Sequence, residues 1–287
     1  MTERDVQMLE ALARFRLLTP IQLVRIVGGS ERGVRNRVRI LAAHKYLVRL
    51  AASIIEPVAY GLANKGARHL SANGHHINAR FDWTAENYRR SNHFRVHTLA
   101  IADTMLHFDH AAALHALTLV DHQLSHLPEE TQQAARPFAS RIPVQHNNKP
   151  LTIHLEPDRL FALSYPNVRH NFALEVDRGT MDVWANRLIG KSSIRRKLLA
   201  YVHGREQRRF VERWGFKSFR VLVVTTSEAR IKNMLRAQHR VAPSCPPGFF
   251  MYSTPERLAQ HGALGPAWIT SKRDDVSLLH DGHVTSS

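Results

Sequence analysis

The chain has 287 residues, of which 44% are apolar, enough to bury one large hydrophobic core or two smaller ones. Lysine and arginine total 40 against 24 acidic residues, and the resulting formal charge of +16 predicts an acidic partner, either nucleic acid or a membrane surface. The sequence contains no transmembrane-length apolar run, and its first residues have a charged helical pattern unlike a signal peptide. Because Cys245 is the single cysteine, intrachain disulfides and cysteine-based zinc sites are excluded, and a cytoplasmic location is expected.

Residues 1–71 predict three helices followed by a β-hairpin. An apolar stripe defines the first helix and consists of Val6, Leu9, Leu12 and Ala13. Thr19 before Pro20 predicts the capped start of a second helix, which ends at Gly28–Gly29. Ser30 then caps a third helix, and the segments Leu47–Leu50 and Ile54–Tyr60 predict the two strands of a wing.

The third helix has one apolar face, and its other face is basic. A short helix, a glycine turn and a basic helix are typical of a winged helix-turn-helix, whose recognition helix presents cationic and amide side chains to the major groove. The simpler alternative is a solvated basic helix on a small helical domain. We predict that double-stranded DNA contacts Arg32, Arg35, Asn36, Arg39, Lys45 and Arg49.

Residues 72–92 are polar without clear periodicity and predict a linker, 93–270 predict a second domain, and 271–287 predict a flexible tail. The second domain opens with a helix over 93–108 and a strand within 112–123, and 149–163 predicts a hairpin or two adjacent strands. Strands are predicted at 171–177, at 219–227 in the centre of the sheet, and finally at 248–253. Helices over Met181–His203 and 227–239 alternate with these strands, which favours a mixed α/β sheet.

Three carboxylates lie on β-like segments of this basic chain. Asp158 follows Pro157 at the start of one apolar run, whereas Glu175 and Asp177 share one parity at the end of another strand and point the same way. Asp158 and Glu175 on adjacent strands resemble the PD-(D/E)xK nuclease pattern, in which carboxylates hold Mg²⁺ or Mn²⁺ and the metal activates a water. We therefore predict Asp158, Glu175 and Asp177 as metal ligands.

The nuclease pattern also needs a lysine, and here Asp177 occupies the usual lysine position. Lys197, four residues before Tyr201 on the following helix, is one replacement, and Lys191 is the other. The predicted catalytic set is Asp158, Glu175, Asp177 and Lys197. The alternative is a structural turn in which the acids pair with Arg159 or Arg178.

Residues from about 3 to 240 resemble the replication-relaxation family of plasmid and mobile-element proteins. The resemblance rests on the segments "EPDRLFAL", "FALEVDRGT" and "RRKLLAY", and on "HTLAIADTMLHF" with His97 and Asp103. It implies an N-terminal winged helix joined to a PD-(D/E)xK restriction-endonuclease-like domain, and a role in plasmid replication and DNA relaxation.

Three hypotheses follow from these patterns. The first is a DNA-binding regulator or accessory factor without catalysis, which the aspartate at the lysine position favours. The second is an Mg²⁺- or Mn²⁺-dependent endonuclease or nickase, and the third is a protein-interaction scaffold. Replication or mobilisation proteins are further expected partners, a homodimer is left open, and no membrane partner is expected.

Overall fold

The computed structural model describes residues 1–50, 57–122, 124–146, 149–184 and 193–279. The chain divides into two compact units, Met1–Leu106 and His107–Ser287. Their boundary lies inside one long helix, Asn92–Leu114. Among the described residues, none of the helices combines the length and the hydropathy that crossing a membrane requires.

The first unit combines helices with a small antiparallel sheet in the order β1-β3-β2. Its elements are α1 (Glu3–Phe15), β1 (Leu17–Leu18), α2 (Pro20–Val27), α3 (Glu31–Ala43), β2 (Leu47–Leu50), β3 (Ala59–Leu62), α4 (Asn64–Ala72), α5 (Trp83–Arg89) and the start of α6 (Asn92–Leu114). The predicted caps are confirmed, since Thr19 Oγ1 accepts from the Gln22 amide at 3.2 Å and Ser30 Oγ accepts from the Gly33 amide at 3.1 Å. The segment 54–56 of the predicted wing lies outside the described residues.

The second unit contains a seven-stranded mixed sheet in the order β12-β11-β10-β9-β8-β7-β4, and a separate two-stranded sheet, β5-β6. Its elements are β4 (Thr118–Asp121), a 3-10 helix (Leu124–His126), α7 (Glu129–Gln132), β5 (Ser140–His146), β6 (Lys149–Leu155), β7 (Arg159–Ser164), β8 (Arg169–Val176), α8 (Ile194–Glu206), α9 (Arg209–Trp214), β9 (Arg220–Val224), α10 (Glu228–Val241), β10 (Phe250–Ser253), α11 (Pro255–His261), β11 (Trp268–Ile269) and β12 (Asp275–Val276).

The three central strands, β8, β9 and β10, are parallel, and the flanking pairs are antiparallel. A parallel pair needs a long connection between its strands, and α8 with α9, and then α10, provide these connections. The predicted mixed α/β architecture and the central position of β9 are both confirmed.

Several predicted elements differ from the structure. Residues 149–163 contain the two predicted strands, but β6 and β7 belong to different sheets, so the predicted hairpin or adjacent pair does not form. The predicted linker contains α5, which is held to the first unit by a hydrogen bond from Asn87 Nδ2 to the Leu62 carbonyl at 2.9 Å. Residues 181–184 are not helical and α8 begins at Ile194, while 185–192 lie outside the described residues. Two further strands follow β10, and β12 lies inside the predicted tail.

Candidate functional site

The sheet topology brings the predicted carboxylates to one edge of the second unit. β8 and β9 are parallel, so Asp177 and Thr225 both follow the carboxyl ends of central strands. Asp158 immediately precedes β7, which runs antiparallel to β8, and therefore lies at the same edge. Its Oδ2 accepts from the Val176 amide at 2.7 Å, and its own amide donates to the Leu174 carbonyl at 3.0 Å.

Glu175 is the buried centre of this site. Lys197 and Tyr201 lie one turn apart on α8, and the Lys197 ammonium and the Tyr201 hydroxyl each donate to one carboxylate oxygen, the latter at 2.7 Å. The Glu175 side chain is 6% exposed, whereas that of Lys197 is 28% exposed. The structure thus places Lys197, of the two lysines considered, against the carboxylate of the motif, while Lys191 lies outside the described residues.

Burial and neighbouring charge shift the pKa values of all three side chains. Burial raises the pKa of Glu175, and the charge of Asp158 raises it further, against the opposing effect of Lys197. Burial alone would lower the pKa of Lys197, but the charges of Glu175 and Asp158 outweigh it and raise that pKa. Lys197 therefore stays protonated at neutral pH, and the pKa of Tyr201 is raised by burial and by Glu175.

Asp177 is turned to a different set of partners. Its Oδ2 accepts from the Thr225 hydroxyl at 2.6 Å, and the Arg230 guanidinium of α10 binds both carboxylate oxygens, with Nη2 to Oδ1 at 2.9 Å. Arg230 also donates to the Met181 carbonyl, so it ties the loop after β8 to α10. The sequence interpretation missed Arg230. Because α10 directly follows β9, its first turn lies at the same edge of the sheet. The order of β9 and α10 in the sequence could therefore have indicated Arg230.

Among the described residues, no group of three or more histidine, cysteine, aspartate or glutamate side chains is placed to hold a metal ion. Mg²⁺ is commonly held by one or two carboxylates together with waters, and Asp158 with Glu175 suits such a site. Asp177 suits it less, since the Arg230 guanidinium holds both of its oxygens. Both oxygens of Glu175 are engaged as well, by Lys197 and Tyr201, so a metal at an Asp158–Glu175 site would have to displace one of these two donors.

The six residues predicted to contact DNA all lie in the first unit, and all six are exposed. On α3, Val34, Val38 and Leu41 are buried, so the basic residues of this helix face outward. Arg37 differs from them, because it pairs with the fully buried carboxylate of Asp5 on α1 and lowers the pKa of that carboxyl to about 2. The side chains of Arg35, Arg39 and Arg49 line one cleft of about 1010 Å³.

The family model for replication-relaxation proteins matches residues 9–215. The chain belongs to the replication-relaxation family. The predicted resemblance is thereby confirmed, and the match includes α3 and the motif residues from Asp158 to Lys197, whereas Arg230 lies beyond it. Family membership supports a role in replication or relaxation.

Comparison with curated proteins and with solved structures adds no further family assignment. Among curated proteins no match is found. Among solved structures, the chain is similar to the restriction endonuclease FokI, at 10% identity and a TM-score of 0.26, over 90% of this chain and 42% of that one. The chain therefore spans less than half the length of that endonuclease.

Proposed function

We propose that this replication-relaxation protein is a DNA-binding regulator or accessory factor of a plasmid or mobile element. The observation that carries the proposal is the division of α3 into a buried apolar face and an exposed basic face. Duplex DNA attracts such a face through its phosphates, and arginine and asparagine side chains read base edges in the major groove. The net charge of +16 supports the same partner.

In this proposal the first unit is a winged helix-turn-helix. Gly28 and Gly29 have φ values of 68° and 83°, which are readily adopted by glycine, and they form the turn between α2 and α3. The antiparallel pair β2–β3 supplies the two strands of a wing. Arg37 stabilises this unit by joining α1 to α3, so it is not expected to contact DNA.

Arginine variants of the full-length chain test duplex binding. Arg35→Ala or Arg39→Ala should each weaken specific binding by about 1–3 kcal/mol if the side chain reads a base. Arg68→Ala is the matched control, since Arg68 is an exposed arginine of the same unit on α4. Unchanged affinity of both α3 variants for the cognate duplex, measured by gel shift, would contradict the proposed recognition helix.

The second candidate function is a metal-dependent endonuclease or nickase of PD-(D/E)xK type. The observation in its favour is that Asp158, Glu175 and Lys197 converge at one sheet edge in the described structure. A bound Mg²⁺ or Mn²⁺ would polarise a phosphodiester and lower the pKa of an attacking water. Asp158 and Glu175 would hold the ion, and Lys197 would offset negative charge that develops on the phosphate.

Two separate measurements distinguish these functions. If Mg²⁺ or Mn²⁺ binds, it should raise the melting temperature of the parent protein, and Asp158→Ala with Glu175→Ala should abolish that increase. If the site cuts DNA, the same changes and Lys197→Ala should remove cleavage while duplex binding by the first unit persists. Stabilisation by metal without cleavage of supercoiled, linear or single-stranded DNA would favour the regulator. The absence of any metal-dependent stabilisation would remove the nuclease hypothesis.

A further inference from the structure

A second basic cleft lies in the second unit, away from the carboxylates. Its volume is about 340 Å³, within the size range of small-ligand pockets. It is lined by residues of the α8–α9 junction, the α9–β9 loop and the segment before β10. Arg220 and Phe249 lie at the amino ends of β9 and β10, whereas Asp177 and Thr225 lie at the other end of the parallel strands. At about 3.3 Å per residue, five-residue β9 separates the two ends by roughly 16 Å.

Packed aromatic rings form part of the lining of this cleft. Phe219 has its ring centroid 5.1 Å from that of Phe210 and 5.4 Å from that of Phe249. Phe210 stacks in turn on Trp214, with centroids 4.5 Å apart. Phe210 and Phe249 are buried, while Phe219 is half-buried and lies in the cleft lining. Phe219 is thus a partly open aromatic surface held in place by its neighbours.

Four cationic residues line the same cleft: Arg205, Arg208, Lys217 and Arg220. Arg205 lies over the Phe249 ring, 5.1 Å from its centroid. Within the described part of the chain, Arg208, Lys217 and Arg220 form no ion pair, whereas the nearby acids Glu206 and Glu212 pair with His203 and Arg209.

The backbone at the rim holds one of these cations in an uncommon conformation. Arg208 has a φ of 57° at the start of α9, in the left-handed region that few non-glycine residues occupy. Such conformations require support from the surrounding structure and are concentrated at functional sites. Here the left-handed residue joins α8 to α9 and is part of the cleft lining.

Cations beside a partly exposed aromatic ring are a combination that binds single-stranded nucleic acid, since the ring stacks on a base and the cations contact phosphates. We propose that this cleft binds a nucleotide of single-stranded DNA, with the base on Phe219 and the phosphates at Arg208, Lys217 and Arg220. Arg208 lies at the α8–α9 junction, whereas Lys217 and Arg220 lie at the approach to β9, so the cations come from two segments and can contact more than one phosphate, which suits a strand better than a free nucleotide. This inference goes beyond the duplex binding proposed above and does not depend on it.

The test uses the full-length chain carrying Arg35→Ala and Arg39→Ala, so that binding by α3 is weakened in every sample. The probe is a fluorescent oligothymidylate of twelve nucleotides. The comparison strand is an abasic strand of equal length and charge. Oligothymidylate should bind roughly tenfold more tightly than the abasic strand, because stacking on one aromatic side chain contributes about that factor. Phe219→Leu should remove the difference between the two strands.

A second set of variants tests the cations. Lys217→Ala should weaken both strands, whereas Lys272→Ala, which removes an exposed lysine from a turn outside the cleft, should weaken neither by a comparable factor. Melting temperatures within a few degrees of the parent establish that each variant is folded. If Phe219→Leu melts lower than the parent, the comparison of Lys217→Ala with Lys272→Ala still tests whether the strand binds at this cleft.

Three results would overturn the inference. Equal affinity for oligothymidylate and the abasic strand would show that the protein binds polyanions without stacking on a base. Equal losses with Lys217→Ala and Lys272→Ala would place binding elsewhere. Thymidine monophosphate competing as strongly as the oligonucleotide would show a free-nucleotide site instead of a strand site. Since all proteins compared carry the same α3 changes, failure here is distinct from failure of duplex binding.

Discussion

Replacing Lys197 with methionine tests the buried centre of the carboxylate site. Methionine keeps most of the side-chain volume but removes the ammonium that donates to Glu175, whose side chain is 6% exposed. Breaking a buried ion pair by removing one partner costs about 3–5 kcal/mol, because the remaining charge is desolvated and unpaired. That is a large part of the roughly 5–15 kcal/mol by which a domain is stable. We therefore expect urea unfolding at pH 7 to show a loss of about 3–5 kcal/mol.

The pH dependence of this loss follows from the same charge. Without Lys197, the pKa of Glu175 in the folded state rises further above its ordinary value, because burial and Asp158 are then opposed by the Tyr201 hydrogen bond but no longer by the Lys197 charge. A carboxyl whose pKa is higher in the folded than in the unfolded state destabilises the folded protein at pH values above the unfolded-state pKa. The destabilisation disappears once the pH falls below that unfolded-state pKa. The loss should therefore be greatest near neutral pH and should shrink as the solution is acidified.

The double variant supplies the internal check. Glu175→Gln combined with Lys197→Met removes both charges and keeps an acceptor for the Tyr201 hydroxyl, so it should cost much less than Lys197→Met alone. Lys232→Met, at an exposed position of α10, should change stability by no more than about 0.5 kcal/mol. The reasoning would be refuted if Lys197→Met lost as little stability as this control. It would also be refuted if the stability losses of Glu175→Gln and Lys197→Met, measured separately, summed to the loss of the double variant.

Three further predictions concern Tyr201, His122 and Gly66. Tyr201→Phe deletes the 2.7 Å hydrogen bond to the Glu175 carboxylate and should lower the free energy of unfolding by about 1.5–3 kcal/mol, measured by urea titration; no loss would contradict the contact. Burial lowers the pKa of His122 to about 4, so stability should be lost as the pH falls from 6.5 towards 4, and His122→Phe should flatten this part of the profile. A Cβ at Gly66 would lie 2.4 Å from the Tyr46 carbonyl oxygen, so Gly66→Ala should lower the melting temperature despite the better helix propensity of alanine.

Sequence patterns located the elements whose residues have a strong local preference. The β-branched run of β9 identifies a buried central strand, and Thr19–Pro20 with Ser30 locates two helix starts. The sequence also indicated Lys197 as the replacement for the motif lysine, and the structure places it against Glu175 together with Tyr201.

The remaining features depend on which distant segments meet. Apolar patterns in β6 and β7 identify two strands but cannot assign them to separate sheets, which is why a hairpin or two adjacent strands were predicted. The polar segment containing α5 gains its structure from contacts with the first unit, such as the one made by Asn87. Arg230 and Asp177 are 53 positions apart in the sequence. Their ion pair can be predicted only once β8 and β9 are known to be parallel neighbours.

Duplex binding as a function of salt concentration tests the central claim most directly. For the full-length chain, the logarithm of the binding constant should fall linearly with the logarithm of salt concentration, by about 0.9 for each phosphate contacted. Arg39→Ala should reduce this slope by about one unit if Arg39 contacts a phosphate, while Arg68→Ala should leave it nearly unchanged. The account predicts a steep loss of affinity between low and moderate salt. An affinity that stays flat over that range would contradict DNA binding by this protein.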